Sequence, residues 1–111
     1  MHKISNQSIQ QAIQHSLLAQ KHGDLVFTCG KYLQKHENQT IQEYGSFIEE
    51  YSQIIQQYAQ ESLMYSQLLI HSQNSTMIYS KAVEAHAKAA KAYGMAMRMY
   101  KQVVEMIIKG V

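Results

Sequence analysis

Counting in sevens from Tyr44 lands on Tyr51, Tyr58, Tyr65, Ser72, Tyr79, His86, Tyr93 and Tyr100, so seven of the eight tyrosines in the chain share one register. A seven-residue spacing returns a side chain to nearly the same face of an α-helix, whereas a strand would send alternate members to opposite faces. The stretch from 44 to 100 is therefore helical, with its tyrosines in a stripe. The residues three and four places after each tyrosine are Phe47-Ile48, Ile54-Ile55, Glu61-Ser62 and Leu68-Leu69, then Ala82-Val83, Ala89-Ala90, Ala96-Met97 and Val103-Val104. They are mostly apolar, which predicts a buried face made of the tyrosine column and these two neighbours. Glu61 falls on that face as a wet spot or as the partner of a lysine in the following helix.

Between the two halves, Ser72-Gln73-Asn74-Ser75-Thr76 turns every buried-face position polar. If the chain reverses there, residues 40–72 and 77–109 form an antiparallel hairpin of helices each about 50 Å long at 1.5 Å per residue. If it does not, one helix of roughly 100 Å runs to the C-terminus. The hairpin is the favoured reading, although no proline or glycine marks the turn. With no proline, only five glycines and many Gln, Ala, Met, Leu, Lys and Glu, the chain belongs to the all-α class. The expectation is one domain over residues 1–111, built of long amphipathic helices in a coiled-coil-like hairpin or small bundle: an N-terminal helical arm (5–36), an acidic helix (40–72) and a basic helix (77–109).

In the arm, Ile9, Ile13, Leu17 and Leu18 make one amphipathic helix. Gly23-Asp24 reads as its end, a left-handed terminator followed by an N-cap. Leu25 to His36, with Gly30 and the run Val26-Phe27-Thr28, is then either a short second helix or an uninterrupted continuation. Thr40 and Glu43 have capping-box spacing, which starts the next helix at 40.

Charge is segregated along the chain. Lys3, Lys21, Lys31 and Lys35 face a single acid, Asp24, in residues 1–36; residues 37–80 hold Glu37, Glu43, Glu49, Glu50 and Glu61 and no Lys or Arg; after 80, Lys and Arg outnumber Glu84 and Glu105. Such segregation suits an acidic helix packed on a basic one, or acidic and basic ends meeting between chains. Six basic residues spread over thirty make no dense patch, which argues against nucleic acid. Cys29 is the only cysteine and reads as a small core residue. No run reaches the ~18 apolar residues of a membrane span. The opening MHKISNQSIQQ has no apolar core of a signal peptide, so the expected location is the cytoplasm, or outside it by export without a cleavable signal.

The residue after each register position is often small: Gly45, Ser52, Ala59, Ser66, then Ser80, Ala87 and Gly94. Small residues admit another backbone, and a tyrosine ring beside them presents a flat apolar face with a polar tip. The tyrosines at 44, 51, 58, 65, 79, 93 and 100 are therefore candidate interface residues as well as core candidates. Met95, Met97, Met99 and Met106 go more than halfway round their helix, so one intramolecular face cannot bury them all, and they join the interface set. The histidines lack zinc spacing: His15 and His22 are a heptad apart, and His86 follows Glu84 by two residues, not the three of a di-iron bundle. No Ser-His-acid set, phosphate loop or converging carboxylate pair stands out, so neither an enzyme, a metal nor a cofactor is expected.

Through its length, the lack of a signal segment and Tyr44-Gly45, the chain resembles the small secreted helical hairpins of the WXG100 group, which implies a helical protein partner or secretion client. That family separates its aromatic and glycine by one residue, in a turn; here the two are adjacent and within an amphipathic helix. The Gln-, Ala-, Met- and Tyr-rich helices also resemble phasins, which implies coating of an apolar granule. The expected function is a non-catalytic interaction or structural protein that self-assembles through helix faces into a homo-oligomer or filament. Binding of a foreign apolar surface or client is the alternative.

Overall fold

The computed structural model describes residues 3–110. Three helices, α1 (Asn6–Gln34), α2 (Gln39–Leu68) and α3 (Thr76–Ile108), run up, down and up to make a rod of 59 × 17 × 17 Å. Each starts on a side-chain oxygen that accepts a free backbone N–H. Ser5 Oγ accepts from the Ser8 amide, Asn38 Oδ1 from Ile41 and Ser75 Oγ from Ile78, each at 3.1 Å. The capping box expected at Thr40 and Glu43 is displaced: Asn38 takes the cap, and α2 begins before Thr40.

The chain does turn between α2 and α3, without a glycine. α2 ends at Leu68, short of position 72, and Ile70, His71 and Ser72 each bond the carbonyl three residues back, tightening the end into 3₁₀ geometry. All residues here keep negative φ, so no left-handed residue is required. The Ile4 amide donates to the Gln73 carbonyl at 2.7 Å and Gln73 Nε2 to Asn6 Oδ1, tying the start of the chain over this turn. Leu69, fully buried, plugs the end of the rod beneath it.

The break expected at Gly23-Asp24 does not exist; α1 is continuous through both glycines. Gly23 is buried, and a Cβ there would collide with the Gln56 side chain. That space lets Gln56 Nε2 reach the Gln20 carbonyl and Asp24 Oδ1, both at 2.9 Å. Gly30 meets Gly45 across the α1–α2 seam: a Cβ on Gly30 would sit 2.8 Å from the Gly45 carbonyl oxygen, and one on Gly45 2.7 Å from the Gly30 oxygen. Two glycines in helix interiors cost roughly 1 kcal/mol each. Here that cost is set against the close backbone-to-backbone approach of the two helices that the missing side chains allow.

The buried line of α2 is Ile41, Gly45, Ile48, Ser52, Ile55, Ala59, Ser62, Ser66 and Leu69, in alternating steps of four and three. The small-residue stripe is thus itself the seam, and the buried face is turned from the expected one. The tyrosines move to its flank, and Phe47, Ile54 and Leu68 move to the surface. Size explains the rotation. Isoleucines of α2 insert against the glycine and alanine surfaces of α1 and α3, which only closely spaced helices allow, and a tyrosine at the axis would hold them apart. In α3 the buried line is Ala82, Ala85, Ala89, Ala92, Ala96 and Val103, while Val83 and Ala90 are exposed.

Four buried serines interrupt this core. Ser16 and Ser62 hydroxyls lie 2.7 Å apart, Ser62 Oγ is 3.1 Å from the Ala82 carbonyl and Ser16 Oγ 2.8 Å from that of Ala12. Two hydroxyl protons serve these three contacts, so they form a directed chain, Ser16 to Ser62 to Ala82 or the reverse toward Ala12. The link joins all three helices at one level. No described helix is long and apolar enough to cross a membrane.

Candidate interaction surfaces

The seven-residue register runs unbroken through the turn, yet its two halves face different grooves. Tyr44, Tyr51, Tyr58 and Tyr65 flank the α2 seam on the side of α3. Lys81 Nζ lies 5.7 Å from the Tyr65 ring and Lys88 Nζ 5.4 Å from the Tyr58 ring. Lys88 also pairs with Glu84 at 3.2 Å, and this hydrogen bond is the main cause that raises its pKa. Tyr79, His86, Tyr93 and Tyr100 face α1 instead. Of the column, Tyr44, Tyr51, Tyr58, Tyr93 and Tyr100 are half-buried against the core, which leaves only part of each ring for a partner.

Between the parallel helices α1 and α3 the aromatic residues meet in rungs one heptad apart. His15 stacks on His86, centroids 5.1 Å apart, and His22 on Tyr93, 4.0 Å apart with planes within 4°. Cys29 and Tyr100 continue the same offset; burial pushes the thiol pKa up, with the Tyr100 side chain beside it opposing the shift. His86 Nδ1 is covered and has no hydrogen-bond partner. Burial, then the charges of His15 and His22, hold the His86 pKa below its ordinary 6.5. This grouping is invisible to a search for metal or catalytic spacing within one helix. Its sequence signal is the recurrence of His15, His22 and Cys29 at the period of His86, Tyr93 and Tyr100.

Above these rungs the α1–α3 groove has apolar walls. Leu18, Leu25 and Tyr32 stand on α1, with Tyr32 63% exposed; Val83, 49% exposed, stands on α3 with Ala90, Met97 and Val104. A cavity of about 260 Å³ opens between them, with His22, Tyr93 and the α2 residue Ile55 in its lining. By helical position, the charged side chains bordering this face are Lys21 on α1, Lys35 at its C-cap and Lys101 on α3, all exposed, with the Arg98 guanidinium over Gly94 beside them and no carboxylate among them.

The outer edge of α2 is the second apolar surface. Phe47, 53% exposed, and Ile54 line a shallow cavity of about 250 Å³ with Tyr51 and Met99, and Met64 and Leu68 extend the edge. Glu43 and Glu50 border it. Glu61 lies on this edge near Tyr65, Lys81 and Lys88, not within the core. Glu49 points to the opposite side, where the Lys31 ammonium meets its carboxylate and holds its pKa below the usual range. The methionines separate: Met95 is exposed, Met97 and Met99 pack partly on the core, and Met106 is half-buried.

Among the described residues, no three His, Cys, Asp or Glu side chains approach closely enough to hold a metal ion. The geometry offers two elongated apolar surfaces on opposite sides of a thin rod. No protein-family model, curated protein or solved structure matches the chain.

Proposed function

We propose that this protein is a non-catalytic helical rod that assembles side by side with copies of itself. The observation that carries this reading is the pair of apolar strips, Leu18, Leu25, Tyr32 and Val83 on one side and Phe47, Ile54 and Leu68 on the other, left exposed by a chain whose own core is complete. Isolated exposed apolar residues are ordinary, but strips repeating every seven residues along a helix are the form of a partner-helix seam. The half-buried tyrosines and Met97 and Met99 form the floors of these seams and the exposed residues their walls. The test is sedimentation velocity on Leu18→Ser and Phe47→Ser. Each is expected to lower the assembled mass with little change in thermal midpoint, because neither side chain is in the core. Unchanged mass in both variants contradicts the reading.

Binding of a foreign anionic apolar surface is the second reading, favoured by the lysine border of the α1–α3 groove. Co-sedimentation with vesicles of anionic phospholipid tests it; failure to co-sediment counts against it.

A further inference from the structure

Resting on the reading that the chain self-assembles, we infer that the contact is heterologous: the α2 edge of one copy seats in the α1–α3 groove of the next. Three observations meet here. The first is charge. The groove is bordered by Lys21, Lys35 and Lys101 without a carboxylate, while the Phe47–Ile54 end of the α2 edge carries Glu43 and Glu50; the α3 lysines Lys81 and Lys88 reach only its far end, over Tyr65 and Tyr58. Groove against groove would set lysines against lysines, and edge against edge glutamates against glutamates. Edge into groove pairs opposite signs.

The second is register. Within one rod, Gly45 lies against Gly30, so Glu43 and Glu50 stand at the same level as the Lys35 and Lys101 end. A neighbour displaced sideways without being turned end for end therefore brings its Glu43 and Glu50 to Lys35 and Lys101. Its α2 then runs antiparallel to the host's α1 and α3, as the host's own α2 does, and completes a four-helix arrangement around the groove. At 1.5 Å per residue α2 is about 45 Å long, which fits the length of the rod.

The third is an unexplained glycine. A Cβ on Gly94 would meet only the Arg98 guanidinium, at 3.7 Å. Gly23, Gly30 and Gly45 are each required by a close neighbour within the chain, whereas Gly94 is not. With Ala87 and Ala90 it leaves a low wall on α3 beside Val83 and Met97, over which a further helix can approach closely. A head-to-tail contact leaves an edge free at one end of the assembly and a groove free at the other, so it grows as a filament or closes as a ring.

The experiment mixes two variants broken on opposite surfaces. Phe47→Asp/Ile54→Asp destroys the edge and keeps the groove; Leu18→Asp/Leu25→Asp destroys the groove and keeps the edge. By size-exclusion chromatography with light scattering, each alone is expected to be monomeric and their equimolar mixture to give a dimer of one copy each. A mixture that stays monomeric while wild type assembles overturns the heterologous contact and leaves self-assembly standing. So does an edge variant that still dimerises alone, the signature of groove against groove. A wild type monomeric at every concentration sinks the underlying reading itself.

A second pair alters only exposed charges and leaves the core untouched. Glu43→Lys/Glu50→Lys and Lys35→Glu/Lys101→Glu are each expected to weaken assembly at low salt by roughly tenfold or more, and to recover it when mixed. No recovery overturns the proposed pairing.

Discussion

The imidazole of His22 lies flat on the ring of Tyr93, joining the first helix to the third at a level where the second supplies Ile55 from behind. This rung and its neighbour, His15 on His86, make the α1–α3 side of the rod unlike the other two. Its helices touch through stacked rings over a groove, not through an interlocked seam.

The His86 site makes stability fall on acidification. A histidine whose folded pKa lies below its unfolded 6.5 binds fewer protons folded than unfolded, so its contribution is complete above pH 6.5 and is lost as pH falls toward the folded value. Its surroundings sharpen the effect: His15 and His22 face it from α1, Ser62 lies on the α2 side and Tyr79 and Tyr93 flank it on α3. Melting curves between pH 7.5 and 5.5 are expected to shift downward, and His86→Phe to flatten that dependence. A midpoint that rises on acidification contradicts the assignment.

Two glycine substitutions are expected to act in opposite directions. Gly45→Ala forces apart the backbones of α1 and α2, and overpacking of this kind costs about 1–3 kcal/mol even after the gain in helix propensity. Gly94→Ala makes only an ordinary contact with the Arg98 guanidinium, 3.7 Å away, and stabilises the isolated rod by up to ~1 kcal/mol. Chemical denaturation at a concentration below assembly measures both.

Neighbouring residues on α2 test its rotation. Ile48 is fully buried and Phe47 half-exposed. Ile48→Ala is expected to cost ~2–5 kcal/mol, as for a buried aliphatic that leaves a cavity. Phe47→Ala should remain within about 0.5 kcal/mol of wild type, as surface changes do. Equal losses at the two positions would place the buried face where the tyrosine register alone puts it.

The buried serine chain is expected to be worth little more than one ordinary hydrogen bond. In Ser62→Ala the Ser16 hydroxyl still donates to the Ala12 carbonyl, so no donor is stranded, and the cost is about 1 kcal/mol. Urea midpoints of Ser62→Ala and Ser16→Ala measure it; a loss several times larger would mean a stranded buried partner.

Helix content, a chain reversal between α2 and α3 and the division into an acidic and a basic half are legible in the sequence, because each rests on local period, capping chemistry or charge, whereas the end of α2 at Leu68, four residues before the polar patch, is not. Which face each helix buries is not. The tyrosines dominate the pattern, but the rod closes around Gly45, Ser52, Ala59 and Ser66, whose value lies in the side-chain volume they lack. Gly23 and Gly30 mislead for the same reason: a glycine that admits a neighbouring helix and one that ends a helix are identical until the neighbour is known. The His15–His86 and His22–Tyr93 rungs depend on the offset between two helices separated by a third, which only packing determines.

Self-assembly through exposed helix faces is tested most directly by absolute mass from light scattering across a concentration series. The mass is expected to rise from the 12.8 kDa of one chain through discrete or growing multiples at constant helicity. A single 12.8 kDa species, fully folded at the highest concentration reached, would contradict it.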